Sequence, residues 1–376
     1  MPTILIVDTY YPAFLRSIDF DSSSARSSDY ATLHTELMNQ HFGTSDAYSA
    51  GLRKLGWQAA EVVPNSTKLQ SAWAREAGRQ FWSWIDQVPP SYVGRIPLMR
   101  DVMRRLPSLH NVFEEQVKIL KPDVLYFQDL NFAPPQMMRR LRKYSKLIVG
   151  QIASPLPPLE FLRSFDLVIS SLPNLVEHMK KVGVPSRFLP IAFDHRILDN
   201  THKGVRDIDL SFVGGISKYH NTTIPLLESV LKENRELQLY GYGAEELAEN
   251  SELRGRHFGE KWGDAMYDVL ARSKVTLNRH ISVAENYANN MRLFEATGMG
   301  SLLVTDYKEN LADYFDVGTE VLAYSSYEEA AHLVNWAMNN PKDASDIARL
   351  GQAKTLTNHT YDLCMEKLDE ILKGLL

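Results

Sequence analysis

Cysteine is almost absent: Cys364 is the only one among 376 residues. A single thiol can form neither an internal disulfide nor a Cys-rich zinc site. That usage fits a reducing compartment, so the expected location is the cytoplasm. Long apolar runs are missing too. No stretch approaches the roughly 20 residues of a membrane span, so no transmembrane segment is expected, while peripheral contact with a membrane stays open. Residues 1–12 are short, apolar and strand-like, without the basic start and long apolar core of a signal peptide. The N-x-S/T matches at Asn65, Asn221 and Asn358 are then expected to be accidental. Neither sign of charge dominates: the net charge is −5, which gives no general pull toward nucleic acid. HExxH, GxSxG, a complete GxGxxG and the GxxxxGK[ST] P-loop are all lacking, as is any visible Ser/His/Asp arrangement. No short-period repeat is present.

What remains is an ordinary soluble composition, 44% hydrophobic and 23% charged. The length predicts two domains. Residues 4–8 (ILIVD), 59–64, 121–130, 147–153, 166–171 and 186–193 read as strands, and helical periodicity fills most of the gaps. That alternation predicts a mostly parallel α/β sheet over residues 1–193. Residues 194–207 are polar and aperiodic and read as a linker. The pattern restarts in a second α/β domain, 208–360, with strands at 207–215, 236–243, 275–280, 301–306 and 319–326. A last helix covers 361–376. Two such domains predict a clam-like molecule with a cleft between them. Trp73, Ala77, Phe81 and Trp84 have helical spacing and read as core.

One stretch concentrates polar chemistry. Residues 278–306 run strand end, Asn-rich loop, helix, strand. In an open parallel sheet, ligands bind at the carboxyl ends of strands and at the helix N-termini that follow. Arg279, His280, Asn289, Asn290 and Arg292 stand there, with Glu295 one turn on. A helix starting near 289 or 290 places 289, 292 and 295 on one face. Gly298 is the expected C-cap glycine. Arginine, asparagine and a carboxylate at a helix start suit a phosphate-and-hydroxyl ligand, as a nucleotide sugar is; the plain alternative is a solvated polar face.

Three glycine pairs, Gly214-Gly215, Gly241-Tyr242-Gly243 and Gly298-Met299-Gly300, follow predicted elements. The first two stand where a phosphate or base could approach the backbone. Lys218 is a candidate phosphate contact. The short acidic patterns Asp19-Phe-Asp21 and Asp207-Ile-Asp209 resemble metal–diphosphate motifs, but the second begins a strand, the wrong end for a ligand. No metal is therefore expected, and Arg279, Arg292 and Lys218 are left to meet diphosphate charge. His280 is the histidine placed beside that charge. A proton acceptor, if one is used, is expected from the first domain: Asp8, Asp19, Asp21, His34, His41 and Asp129 stay open. Asp19 and His280 are thus the catalytic candidates, and Cys364 reads as packing.

The run from 259 to 305, GEKWGDAMYDVLARSKVTLNRH…NNMRLFEATGMGSLLVT, resembles the C-terminal domain of CgeB-like GT-B glycosyltransferases. FVGGISKYHN, LYGYG and the N-terminal FGTSDAYSAGLRKLGWQA block are similar to the same pattern. The resemblance implies an α/β GT-B fold, two Rossmann-like domains facing across a cleft, with a nucleoside diphosphate sugar held mainly by the second. It implies that Glu295 binds ribose, that Asn290 and Arg292 lie near the diphosphate, and that Gly214, Gly215 and Lys218 form the first phosphate-side loop. Tyr242 and Gly243 then lie near the base, and the last helix crosses back to the first domain. The implied activity is metal-independent glycosyl transfer to an unidentified glycan, protein or small-molecule acceptor. The family's E-x7-E pattern is broken, because Tyr287 stands eight before Glu295, which leaves retention or inversion open. Two other readings share these features: a nucleotide-sugar epimerase, and a non-catalytic sugar-nucleotide or glycan-binding protein.

Overall fold

The computed structural model describes residues 1–18, 29–78, 107–201, 204–216 and 223–376. Its chain forms two compact units. The first comprises Met1–Ser170, Leu175–Leu189 and Met365–Leu376; the second comprises Ser171–Asn174 and Pro190–Cys364. Residues 194–207, expected as a linker, lie in the second unit and carry the short 3-10 turn His195–Asp199.

The first unit is built on six parallel strands in the order β2-β1-β3-β4-β5-β6. They are β1 Thr3–Val7, β2 Gln58–Val62, β3 Val124–Phe127, β4 Leu147–Gln151, β5 Leu167–Ser170 and β6 Ser186–Phe188. Four residues of β1 and all of β3 and β5 are buried, as expected of strands covered on both faces. Val7, Phe127, Ile148 and Val168 pack with Phe113, Val117 and Met138 from the helices Pro107–Leu120 and Pro135–Leu141. Proline opens the second of these helices, where its missing N–H costs nothing. Gly56 and Gly183 close turns in the left-handed region, at φ +88° and +75°. The last helix, Tyr361–Lys373, joins this unit from Met365 onward, and Trp57 Nε1 donates to Asp369 Oδ1 at 2.6 Å.

The second unit holds five parallel strands in the order β11-β10-β9-β7-β8. They are β7 Ile208–Val213, β8 Leu237–Tyr240, β9 Ser273–Leu277, β10 Leu302–Asp306 and β11 Leu322–Tyr324. Period-two alternation sends Leu302 and Val304 to one core and Leu303 to the other. Helices Thr223–Glu233 and Tyr327–Asn339 cover the first face; Gly263–Arg272 and Met291–Gly298 cover the second. Cys364 is buried, and its Sγ lies 3.3 Å from the Pro190 carbonyl, a packing position as expected. No helix among the described residues is long and apolar enough to cross a membrane.

Gly298 does not cap its helix. The helix runs through it to a cap at Met299, and Gly300 supplies the left-handed turn at φ +74°. Gly298 is small for another reason: a Cβ there would stand 2.6 Å from the Phe193 ring. The short acidic pattern at 207–209 is also explained locally, since Asp207 pairs with Arg272 at 2.7 Å and Asp209 with Lys274 at 2.5 Å. Asp19, Asp21, Phe81, Trp84 and Lys218 lie outside the described residues.

Two carboxyls of the first unit are costly to ionise. Burial pushes Glu61 up to about 8, despite the Ser49 N–H donated to its Oε1 at 3.0 Å. Burial and the neighbouring Asp129 push Asp8 up to about 7. The folded chain thus holds these protons more tightly than the unfolded chain does. Their contribution is intact below pH ~4, where both states are protonated, and declines as pH rises toward the folded values. Glu61→Gln keeps the acceptor for Ser49 and removes the charge. It is expected to stabilise the chain by about 3 kcal/mol above pH 8 and by almost nothing near pH 4, measured by urea unfolding at both pH values; an equal gain at both would show that carboxylate burial is not the cause.

Candidate functional site

Strand order singles out one place in each sheet. In the second unit the chain goes from β7 out to β8, then returns to lay β9 on the other side of β7. The carboxyl ends of β7 and β9 therefore flank the topological switch point, where open parallel sheets leave a crevice for ligands.

Two glycine turns occupy the β7 and β8 side. Gly214 N–H donates to the Tyr240 carbonyl at 2.9 Å, and Ile216 N–H to that of Tyr242 at 2.9 Å. The turns touch so closely that side chains are excluded. A Cβ on Gly241 would lie 2.1 Å from the Gly214 oxygen, and one on Gly243 would lie 1.7 Å from the Ile216 oxygen. Both also need positive φ, +134° and +94°. Gly215 faces the Tyr242 ring, which stacks on Trp262 with centroids 6.2 Å apart and planes 12° apart. These glycines thus serve turn-on-turn packing and leave bare backbone at the strand ends.

Arg292 ties the following helix to this edge. Its Nε donates to the Val213 carbonyl at 3.0 Å, and its Nη1 pairs with Glu295 Oε2 at 2.7 Å, one turn along the same helix face. Glu295 is buried and receives the Tyr267 hydroxyl on its other oxygen at 3.2 Å. Burial, then the Glu295 charge, pushes the Tyr267 phenol well up. The proposed diphosphate arginine and ribose glutamate are therefore neighbours in one buried pair, not two independent surface contacts.

Asparagine builds the β9 side. Asn290 is the N-cap of the Met291–Gly298 helix, with its Oδ1 accepting the Leu293 N–H at 3.0 Å. Its Nδ2 donates to Asn278 Oδ1 at 2.9 Å and to the Arg279 carbonyl at 3.2 Å. Asn278 Nδ2 donates to Thr305 Oγ1 at 2.9 Å, and the Tyr324 hydroxyl donates to the Asn278 carbonyl at 2.8 Å. Asn290 is thereby spent on shaping the loop. Arg279 is half-buried, its Nη1 at 3.5 Å from Thr223 Oγ1 at the start of the Thr223–Glu233 helix.

His280 is wholly buried against Asp306, a residue the sequence reading passed over. The signal was the switch from apolar to Thr305-Asp306 at the end of β10. Tyr267 and Trp262 were likewise missed, because an aromatic in an amphipathic helix or loop has no distinguishing pattern. Among the described residues no group of three or more His, Cys, Asp or Glu could hold a metal ion.

In the first unit the switch point lies between β1 and β3. Asp8 and Asp129 follow those strands. Asp8 Oδ1 accepts the Thr9 N–H at 2.8 Å, while the Thr9 hydroxyl donates to Asp129 Oδ2 at 2.5 Å. Of the other expected proton acceptors, His34 has its Nε2 on the Glu61 carbonyl at 3.1 Å, and burial lowers its pKa. His41 sits in a turn at φ +48°.

Two parallel-sheet Rossmann-like halves with this strand order define the GT-B glycosyltransferase architecture. Residues 224–370 match a family described as glycosyl transferase-like. No curated protein matches the chain in sequence. Among solved structures, Anabaena HepE in complex with UDP and glucose is similar at a TM-score of 0.62 and 12% identity, with 100% of both chains covered. AviGT4, a glycosyltransferase involved in avilamycin A biosynthesis, is similar at 0.60 and 14% identity, covering 100% of this chain and 98% of its own. Sucrose-phosphate synthase from Thermosynechococcus elongatus is similar at 0.57 and 12%, covering 100% and 99%.

Removing one member of a buried ion pair strands the other. Arg292→Ala is expected to cost about 3 kcal/mol of stability, and the Arg292→Met/Glu295→Gln double variant to recover most of that loss. Urea titration of both variants beside the parent checks this; a double variant no more stable than the single one would mean that loss of the Val213 hydrogen bond, common to both, accounts for the cost.

Proposed function

We propose that the chain is a metal-independent glycosyltransferase of the CgeB-like group. It moves a sugar from a nucleoside diphosphate sugar, held by the second unit, to an acceptor bound by the first. The observation that carries this reading is the convergence of Arg279, Arg292, the bare 214–215 turn and a helix N-terminus at the β7/β9 switch point. Phosphate oxygens are met by such donors, and a helix start adds a favourable dipole. The UDP and UDP-glucose complexes of HepE make UDP-glucose the first donor to try.

In the reaction the bond from the anomeric carbon to the diphosphate breaks and a bond to an acceptor oxygen forms. The acceptor hydroxyl gives up its proton. Negative charge grows on the leaving diphosphate, where Arg279, Arg292 and Lys218 stabilise it without a metal ion. Glu295 holds the ribose from within its pair with Arg292, and Tyr242 and Gly243 border the base.

A thermal-shift panel of nucleotide sugars, with and without EDTA, tests the donor assignment. Ligand that binds only the folded chain stabilises it by mass action, so UDP-glucose or another member is expected to raise Tm equally with and without EDTA. No shift with any member would remove the donor site, and a shift abolished by EDTA would remove metal independence. Product analysis after incubation without acceptor separates transfer from epimerisation, since only an epimerase returns a changed sugar nucleotide.

A further inference from the structure

His280 and Asp306 form a pair that the donor site described above does not yet use. His280 lies three residues past the end of β9, with its side chain 0% exposed. Asp306, at the end of β10, accepts on one oxygen, Oδ1, both the His280 backbone N–H at 2.9 Å and the His280 Nδ1 at 2.7 Å. Its other oxygen faces Lys308 Nζ at 3.4 Å. Two hydrogen bonds from His280 and the facing Lys308 favour the ionised form of Asp306. Asp306 is therefore a carboxylate at any physiological pH, and a carboxylate can only accept. Nδ1 must carry a proton, and a second proton on Nε2 would stand buried with no acceptor, so Nε2 is left as the acceptor.

That acceptor has nothing to accept. Nε2 is buried and without a hydrogen-bond partner among the described residues. Buried polar atoms are rarely left so, and each exception calls for a ligand, a water or a strain that explains it. Polar groups on the neighbouring strand ends are already committed. Asn278 is held by Asn290 and Thr305, Tyr324 donates to the Asn278 carbonyl, and Lys308 reaches the Glu285 carbonyl at 2.7 Å. Arg279, the next cation along the chain, is directed to Thr223. A diphosphate cannot satisfy Nε2, because its oxygens are acceptors as well. A hydroxyl can.

We propose that His280 Nε2 receives a hydroxyl of the sugar carried by the donor, and that Asp306 is the positioning residue that fixes the ring and its tautomer for that contact. This inference rests on the second unit being the donor site, and it moves His280 from the diphosphate to the sugar. The ring is enclosed, so a hydroxyl reaches it by a shift of the segment 281–290, which begins at the next residue. That segment turns through Glu285 at φ +50°, and Lys308 ties the Glu285 carbonyl to the Asp306 side chain. A pocket built to bind a hydroxyl discriminates strongly against an analogue lacking it, because the buried acceptor is then left unpaired.

The experiment compares UDP-glucose with UDP in calorimetric titrations of the parent chain, His280→Gln and Asp306→Asn. The parent is expected to bind UDP-glucose at least about tenfold more tightly than UDP, roughly what one well-made hydrogen bond contributes. His280→Gln is expected to erase that margin with UDP affinity unchanged. Asp306→Asn keeps an oxygen for both His280 donors and loses the charge, so it is expected to erase part of the margin while the chain stays folded. Ring 15N resonances of His280 supply a readout that a packing role would not move: Nε2 should resonate as an unprotonated nitrogen and shift with UDP-glucose, not with UDP. Equal loss of UDP and UDP-glucose binding in His280→Gln would overturn the sugar contact, as would ring resonances indifferent to UDP-glucose, the result expected of a trapped water. Failure of the parent to bind either ligand would bring down the donor site and this inference together, whereas UDP binding with no His280-dependent margin brings down this inference alone.

Discussion

The Arg292 side chain holds together the second unit's switch-point edge. One guanidinium bonds the last carbonyl of β7 and pairs with Glu295, which in turn takes the Tyr267 hydroxyl. A helix, a strand end and a neighbouring helix are thereby locked around a charge that would be unfavourable alone. The Met291–Gly298 helix must then start at the switch point, and Asn290, as its cap, must draw Asn278 and the Arg279 carbonyl into the same corner. These internal bonds fix the orientation of Arg292 and of the helix N-terminus at that edge.

The two sheets use the same parallel construction with opposite residue types at their switch points, carboxyls in one and guanidiniums in the other. The first places Asp8 and Asp129 there, bridged by Thr9, with the buried Glu61 on the neighbouring strand β2. The second places Arg292 and Arg279. Parallel strands buried on both faces leave only their ends for polar residues, so chemistry collects at the carboxyl edges whatever its sign.

Much of the fold was legible in the residues. Short Val/Ile/Leu runs alternating with amphipathic segments marked the strands and most helices, because buried parallel strands tolerate almost nothing else. The start of the 291–298 helix was legible to within a residue or two, near 289 or 290; that Asn290 is its cap came only with the structure. Gly298 was misread for an instructive reason. A glycine near a helix end suggests a left-handed cap, yet a glycine can also be demanded by a ring pressing from elsewhere, here Phe193, and no local pattern separates the two. The strand reading of VTLNRH runs too long, since β9 stops at Leu277 and the polar residues after it leave the sheet.

By itself, the sequence determined the class of architecture and the order of strands and helices. Periodicity and local turn chemistry act over a few residues, and both follow from them. Only the tertiary structure decided what those residues do to one another. It paired Arg292 with Glu295, spent Asn290 on a cap, pressed the 214–216 turn against the 241–243 turn, and set His280 against Asp306 twenty-six residues away. Those are contacts between strand ends that neighbour each other only once the sheet is ordered. A hydrogen bond across adjacent strands leaves no periodic trace along the chain.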